Sequence, residues 1–185
     1  MSRNRIDEVL GVAREILREY DTIDMIIDLL YATMIPLVEE YLGEEYDEAY
    51  HEYVGSEPDA IDRNAAIYSE VDGKTFADRL MEYSLEEYET RLADLLDSDG
   101  HRVRSEGTLA AAGDLQRVGY TVTKTWSGVM DEHERDAHVA LEGVTIPCDG
   151  YFELDGYRAK GPGMFGVARL DCHCRCKLTL NIVSA

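Results

Sequence analysis

A dense group of potential metal ligands lies near the C-terminal end of the sequence. Cys172, Cys174 and Cys176 alternate with His173 and Arg175 over five positions. Thiolates and imidazoles are ligands that Zn²⁺ takes in proteins, and a structural zinc needs four ligands in a tetrahedron. Further donors must come from other segments, and the candidates are His138, His133 and Cys148.

The spacing of these cysteines limits how they can share a metal. Residues two apart in an extended strand are separated by roughly 6.5–7 Å. Two sulfurs on one zinc, each about 2.3 Å from it, are at most about 4.6 Å apart. A zinc held by His138, Cys172, Cys174 and Cys176 therefore requires a turn just before the strand that follows. Reduced thiols in the core and a disulfide are the other two interpretations.

His138 also has a potential role in proton transfer. On a helix, Glu134 and His138 share one face at positions i and i+4, and a histidine near a carboxylate can act as a general base. The competing interpretation is a surface helix whose charged residues pair with one another. The sequence contains no GxSxG, P-loop, GxGxxG or HExxH motif. We therefore expect that the protein is not an enzyme, and a nuclease or transferase using His138 and Glu134 is the alternative.

The net charge limits the class of partner. The 185 residues include 38 Asp and Glu against 18 Lys and Arg, which gives a net charge of −20. A nucleic-acid-binding protein usually has a net basic face, so we do not expect strong direct binding to DNA. The segment after residue 156 is locally basic, and we expect it to face the protein's own acidic helices rather than phosphate. Its basic residues are Arg158, Lys160, Arg169, Arg175 and Lys177.

Residues 39–62 combine acidic and aromatic side chains. This segment has ten Asp and Glu residues and no Lys or Arg. One interpretation is a solvated helix whose tyrosines pack on its neighbours. The other is a docking surface for a basic partner, which would make the protein an acidic decoy module. The partner-binding candidates are Tyr41, Tyr46, Tyr50 and Tyr53.

These residues must be positioned by the secondary structure. The sequence predicts helices in the N-terminal part of the chain and strands in the C-terminal part. Apolar residues at steps of three and four predict a helix over 3–20 and a second one from residue 23, which Pro36 should kink or end. The pattern over 61–118 predicts a long helix broken near residues 98–100. Alternation of polar and apolar residues predicts the strands, which we place at 120–126, 151–154 and 174–183. A short helix over 131–141 and a loop over 156–166 lie between them.

These elements predict an α+β fold in three parts, with a short antiparallel sheet in the last. The parts are N-terminal amphipathic helices over 1–58, a helical region over 59–119 and an α+β domain over 120–185. We find no secretion signal, and the most apolar stretch, over 25–38, is too short and too charged to span a bilayer. We therefore expect synthesis in a cytoplasm and no association with a membrane.

Residues 124–176 carry a combination of short motifs in a definite order. They are Lys124-Thr125-Trp126, then Asp131, Arg135 and His138, then Leu141-Glu142-Gly143, Phe152, Gly161-Pro162-Gly163 and Cys174-Arg175-Cys176. This combination closely resembles the C-terminal domain of the bacteriophage Mu F-like family, the minor head (head morphogenesis) proteins of tailed phages. The helical stretch with Phe76-Ala77-Asp78-Arg79 and His101-Arg102 resembles the region before that domain, so the resemblance covers roughly residues 75–180.

The resemblance implies a virion protein that acts in head morphogenesis near the portal and the packaged DNA, after synthesis in the host cytoplasm. The implied partners are the phage portal protein and the major capsid protein. The implied role of the family-like residues is to hold the small domain together, with zinc as a candidate cofactor. These residues are Trp126, Arg135, His138, Gly143, Phe152, Arg175 and the cysteines on either side of Arg175. His173 stands where the family more often has Asn, and Cys148 and Cys172 lie outside the family pattern.

Overall fold

The computed structural model describes residues 3–129 and 135–184. Its helices come first and its strands later, which confirms the predicted α+β class. The elements are α1 (Arg3–Glu19), α2 (Ile23–His51), α3 (Ala60–Ile67), α4 (Phe76–Glu82), α5 (Tyr88–Arg117), β1 (Thr121–Ser127), α6 (Asp136–Val139), β2 (Thr145–Pro147), β3 (Phe152–Leu154), β4 (Tyr157–Ala159), α7 (Ala168–Asp171) and β5 (Lys177–Val183). No helix within the described ranges is long and apolar enough to cross a membrane.

The helical region is built on the contact between α2 and α5. Apolar residues at helical spacing on both helices are buried in one core with α1. The two backbones come close at Gly107, where a Cβ atom would lie 2.4 Å from the carbonyl oxygen of Tyr46. A side chain of any size at Gly107 would therefore push the two helices apart.

Two predicted helix ends, the one at Pro36 being the alternative to a kink, are not found. Helix α2 continues through Pro36 to His51, because Met34 and Val38 on either side of the proline are fully buried and hold the segment against the core. The predicted break near residues 98–100 is also wrong, since α5 is unbroken. Asp99 does not cap a helix end there but forms ion pairs with Arg79 and Arg102.

The C-terminal domain contains a three-stranded antiparallel sheet in the order β2-β1-β5. Its register pairs Lys124 with Leu180 and Trp126 with Leu178, and these four side chains are buried. The final strand begins at Lys177, three residues later than predicted. The segment 130–134 lies outside the described residues, so the predicted helix over 131–141 is seen only as α6 and the turn that follows it.

A β-hairpin formed by β3 and β4 completes the domain. Its turn is Asp155-Gly156, and both residues have positive φ angles, of 51° and 81°, as a tight hairpin turn requires. The prediction of a loop over 156–166 is therefore wrong for its first part, which forms β4. The sequence signal for this strand is only three residues long, too short to stand out beside four glycines.

The Gly161-Pro162-Gly163 loop joins the domain to α5. The Ser105 hydroxyl donates a hydrogen bond to the Pro162 carbonyl at 2.8 Å. Gly163 has a φ of +75°, and a Cβ there would lie 3.2 Å from the Arg102 backbone nitrogen. The two glycines thus let the loop lie directly on the helix.

Candidate metal centre

Three of the predicted ligands lie together in the core of the C-terminal domain. The Nδ1 atom of His138 is 3.6 Å from the Cys174 sulfur and 3.5 Å from the Cys176 sulfur. One ligand atom from each of the three residues lies within 4.8 Å of the other two, which is close enough for all three to bind one metal ion. All three side chains are buried, and Cys176 and His138 are at most 1% exposed.

A turn in the chain brings the two cysteines to the histidine. His173 has a positive φ of 54°, and the Cys174 amide donates a hydrogen bond to the Asp171 carbonyl at 3.2 Å. Because β5 begins only at Lys177, Cys174 and Cys176 are not held two residues apart in an extended strand. The predicted condition for a shared metal, a turn before the strand, is therefore met.

Aromatic side chains form the wall of this site. The Trp126 ring contacts His138 edge-on, with ring centroids 5.6 Å apart, and lies 5.2 Å from Phe152 and 5.9 Å from Phe165. Trp126 is fully buried. These apolar surroundings exclude water and hold the imidazole in one orientation, since a ring between thiols and an indole has little room to turn.

The buried position also affects the acidity of the thiols. A hydrogen bond with Cys174, together with burial, raises the pKa of Cys176, and His138 and Trp126 oppose that shift. Without a metal, Cys176 is therefore a protonated thiol at neutral pH. A metal that binds as a thiolate complex must displace this proton, so binding is expected to strengthen as the pH rises.

The other predicted donors lie elsewhere. Cys172 is half-buried, outside the group of three donors, and its carbonyl accepts a hydrogen bond from Arg135. Cys148 belongs to a separate buried cluster, and His133 lies outside the described residues. The four cysteines, all within the described ranges, are free thiols, so the disulfide interpretation is not what the structure contains.

The family-like residues surround the three donors. The Gly143 amide donates a hydrogen bond to the Trp126 carbonyl at 2.9 Å, and its φ of +73° suits glycine. Arg135 links the start of α6 to the cysteine turn through its bond to Cys172, and Phe152 lies against Trp126. Arg175 is exposed between the two buried cysteines. Residues far apart in the sequence thus meet at one centre.

The catalytic alternative for His138 does not fit its surroundings. The side chain is 1% exposed and its Nδ1 atom faces two thiols, whereas a general base must reach the proton that it removes. Glu134, its predicted partner, lies outside the described residues. The arrangement suits a structural or metal-binding histidine better than a catalytic one.

The four tyrosines of the acidic segment face inward. Tyr41, Tyr46 and Tyr50 are at most 3% exposed, and Tyr53 is half-buried. The Tyr41 hydroxyl donates to the Leu96 carbonyl of α5, and the Tyr53 hydroxyl accepts from the Leu180 amide of β5. A docking role for these side chains is not compatible with such burial, and they join this chain's own helices and sheet instead.

The basic segment pairs mostly within its own hairpin. Arg158 forms an ion pair with Glu153 at 3.2 Å, and Arg169 pairs with Asp155 at 2.8 Å. Each guanidinium also lies over an exposed tyrosine ring, those of Tyr151 and Tyr157 respectively. These two arginines therefore do not face the acidic helices as predicted: the hairpin register places Glu153 beside Arg158, and α7 brings Arg169 to Asp155 of the hairpin turn.

Lys124 is a buried cation in the same sheet. Its side chain is 0% exposed, and its ammonium group donates hydrogen bonds to the carbonyls of Cys148 and Gly150 at 2.9 and 2.8 Å. Burial lowers the pKa of Lys124 to about 8. Lys124 belongs to the Lys124-Thr125-Trp126 motif, but the sequence predicted no role for its side chain. Its contacts show that it fixes the turn between β2 and β3.

Comparison with protein-family models finds no match, and comparison with solved structures finds none either. Two curated proteins are similar to part of the chain. One is the NAD(+)–arginine ADP-ribosyltransferase EFV of Enterococcus faecalis, 35% identical over 86 residues, or 46% of this chain and 18% of that protein. The other is the minor head protein GP7 of Bacillus phage SPP1, 35% identical over 82 residues, or 44% of this chain and 26% of that protein. The similarity thus spans about a fifth to a quarter of each relative's length.

A lysine with a lowered native pKa should make stability depend on pH in a defined direction. The unfolded lysine has a pKa near 10.5, so between pH 8 and 10 the unfolded state binds more protons, and the free energy of unfolding rises with pH. We expect Lys124→Met to remove this rise, about 2 kcal/mol over that range, in denaturant titrations. Lys177→Met, at an exposed position, is the control. If the free energy of unfolding depended on pH in the same way for wild type and Lys124→Met, the burial of a charged amine at Lys124 would be contradicted.

Proposed function

We propose that this chain is a Mu F-like module of a tailed-phage minor head protein, with a structural role in head morphogenesis. The observation that carries the proposal is the similarity to the minor head protein of phage SPP1. The order of motifs from Lys124 to Cys176 supports it, because the motif residues Trp126, Phe152, Cys174 and Cys176 belong to one buried cluster that also contacts His138. The proposed location is the virion, close to the portal.

The similarity to the ADP-ribosyltransferase is too partial to assign the reaction of that protein to this chain. The two matches have the same identity and nearly the same length, 86 and 82 residues, yet the two relatives are named for different functions. The match covers only 18% of the ADP-ribosyltransferase, so most of that protein has no counterpart in the matched part of this chain. We therefore propose that this chain is not itself an enzyme.

The partners we propose are the portal protein or the major capsid protein. The net charge of −20 sets up repulsion from packaged DNA, which favours contacts with protein over contacts with the genome. The pairing of Arg158 and Arg169 with neighbouring acids supports this assignment, since it leaves less free positive charge for phosphate. We do not expect strong binding to DNA.

Quantitative mass spectrometry of purified phage particles tests the proposed location. With the portal and major capsid proteins as internal references, we expect this chain at a few to a few tens of copies per particle, the number of a minor component. The control is a host membrane and cytosol fraction carried through the same purification, which reports contamination. If the chain is abundant in the lysate but absent from particles, the virion assignment is wrong.

We further propose that His138, Cys174 and Cys176 hold a structural zinc ion. A tetrahedral zinc with bonds of about 2.3 Å to sulfur and about 2.0–2.1 Å to nitrogen places a sulfur and a nitrogen about 3.6 Å apart. The two sulfur–nitrogen distances here are 3.6 and 3.5 Å. Thiols that are hydrogen-bonded to the histidine without a metal fit the same distances. An experiment that responds to zinc itself is therefore needed to distinguish the two arrangements. Three protein donors leave one tetrahedral position to a further ligand.

The thermal response to zinc distinguishes a metal site from reduced core thiols. We expect excess Zn²⁺ to raise Tm by about 10 °C over chelator-treated protein, since saturation at about 1,000 times Kd contributes about 4 kcal/mol. Cys174→Ser and His138→Ala should lose this difference. Cys148→Ser, which changes a buried thiol outside the donor group, should keep it.

Equal Tm values with zinc and with chelator in the wild-type chain would contradict the zinc proposal and leave the thiols as core residues. The phage-head proposal would be unaffected by that result, because it rests on sequence similarity and not on the metal.

A further inference from the structure

A cavity of about 660 Å³ lies between the helical region and the C-terminal domain. Its helical side comes from α4, α5 and the turn that precedes α4, and its other side from residues 163–172. This volume is within the range of binding sites for small molecules and single side chains. The cavity is separate from the His138 centre, and neither the motifs nor the similar proteins assign it a role.

The hydrogen-bond donors around this cavity are already engaged. Arg102 donates to Asp99, to the Ala66 carbonyl and to the Ser69 hydroxyl, and Arg79 donates to Asp99 at 2.9 Å. The loop amides are engaged as well, because the Asp171 carboxylate accepts hydrogen bonds from the amides of Phe165, Gly166 and Val167. An anion entering the cavity would have to displace these bonds.

Carboxylates in the same cavity remain available. Glu106 is half-buried, and within the described part of the chain it forms no hydrogen bond or ion pair. Burial raises the pKa of Glu106, and the positive charges of Arg102 and Lys160 oppose that shift. Glu70 and Asp72 are exposed at the rim. A cation in the cavity would add to the charges of Arg102 and Lys160 and further stabilise the ionised form of Glu106, which burial disfavours.

Lys74 and Glu82 of the lining form an ion pair with each other, and another part of the wall is apolar. Val71, Met164 and Val167 are half-buried there and present hydrocarbon surface beside the carboxylates. A ligand that fits both kinds of surface has a charged end and an aliphatic stem.

We propose that this cavity binds an aliphatic cation, an ammonium or guanidinium group on a hydrocarbon stem, with Glu106 as its main charge partner. Two sources supply this chemistry, a lysine or arginine side chain of a partner protein and a free polyamine. The site goes beyond the proposed head function and does not depend on it, since it rests on the contacts of this chain alone.

Calorimetric titration with spermidine, in about 150 mM salt to screen non-specific attraction, tests the site. We expect one saturable site in the full chain and a loss of about tenfold in affinity for Glu106→Gln, the effect of one ion pair in a partly buried place. Glu15→Gln is the matched control: it removes one exposed carboxylate on α1 and gives the same net charge. Equal affinities of the two variants would overturn the proposal.

Methyl resonances of methionine give a readout that does not depend on a variant. Met164 lines the cavity, whereas Met34 is fully buried in the helical core. Bound spermidine should shift the Met164 methyl signal and leave that of Met34 in place. Shifts at neither methyl, or heat that never saturates, would overturn the proposal.

A second titration identifies the source of the cation. The probe is acetyl-Gly-Arg-Gly-amide, which carries one arginine side chain and no other charge. Tighter binding of this peptide than of spermidine supports a partner protein, and the reverse supports a polyamine. Failure of both probes to bind at millimolar concentration would exclude the proposed ligand class.

Discussion

The contact of His138 with two cysteine thiols is the interaction on which the C-terminal domain depends. These polar groups are buried beside Trp126, and buried polar groups destabilise a fold unless they bind one another or a metal. The turn at His173 is what allows Cys174 and Cys176 to meet the histidine before β5 begins. Directly after this turn, β5 pairs with β1 in a register that places Trp126 opposite Leu178.

The same domain is joined to the helices by a shared apolar cluster and by specific hydrogen bonds. The Gly161-Pro162-Gly163 loop lies on α5 through the Ser105 hydroxyl, and the Tyr53 hydroxyl binds an amide of β5. The acidic segment thus contributes its aromatic side chains and the buried Glu45, which pairs with Arg104, to the fold, and its exposed carboxylates to the surface. This division explains how a chain with a net charge of −20 keeps a continuous core.

The sequence predicted the features that depend on residues close together in the chain. The α+β order, the C-terminal strand and the need for a turn beside the cysteines all follow from spacing and alternation. The unbroken α5 could not be predicted, because Asp99 is held by Arg79, twenty positions earlier in the chain, and Gly100 lies against Tyr41 of another helix. Cys172 lies outside the centre because the chain turns at His173, whose φ angle is positive. A histidine at this position gives little indication in the sequence that such a turn is present. The cavity beside Glu106 depends on how two distant segments pack.

X-ray absorption at the zinc edge of the zinc-loaded, desalted protein tests the central claim most directly. The account predicts one zinc per chain with two sulfur neighbours at about 2.3 Å and the remaining ligands at about 2.0–2.1 Å, one of them an imidazole nitrogen. A shell of oxygen and nitrogen alone, or zinc lost on desalting, would contradict a centre formed by His138, Cys174 and Cys176.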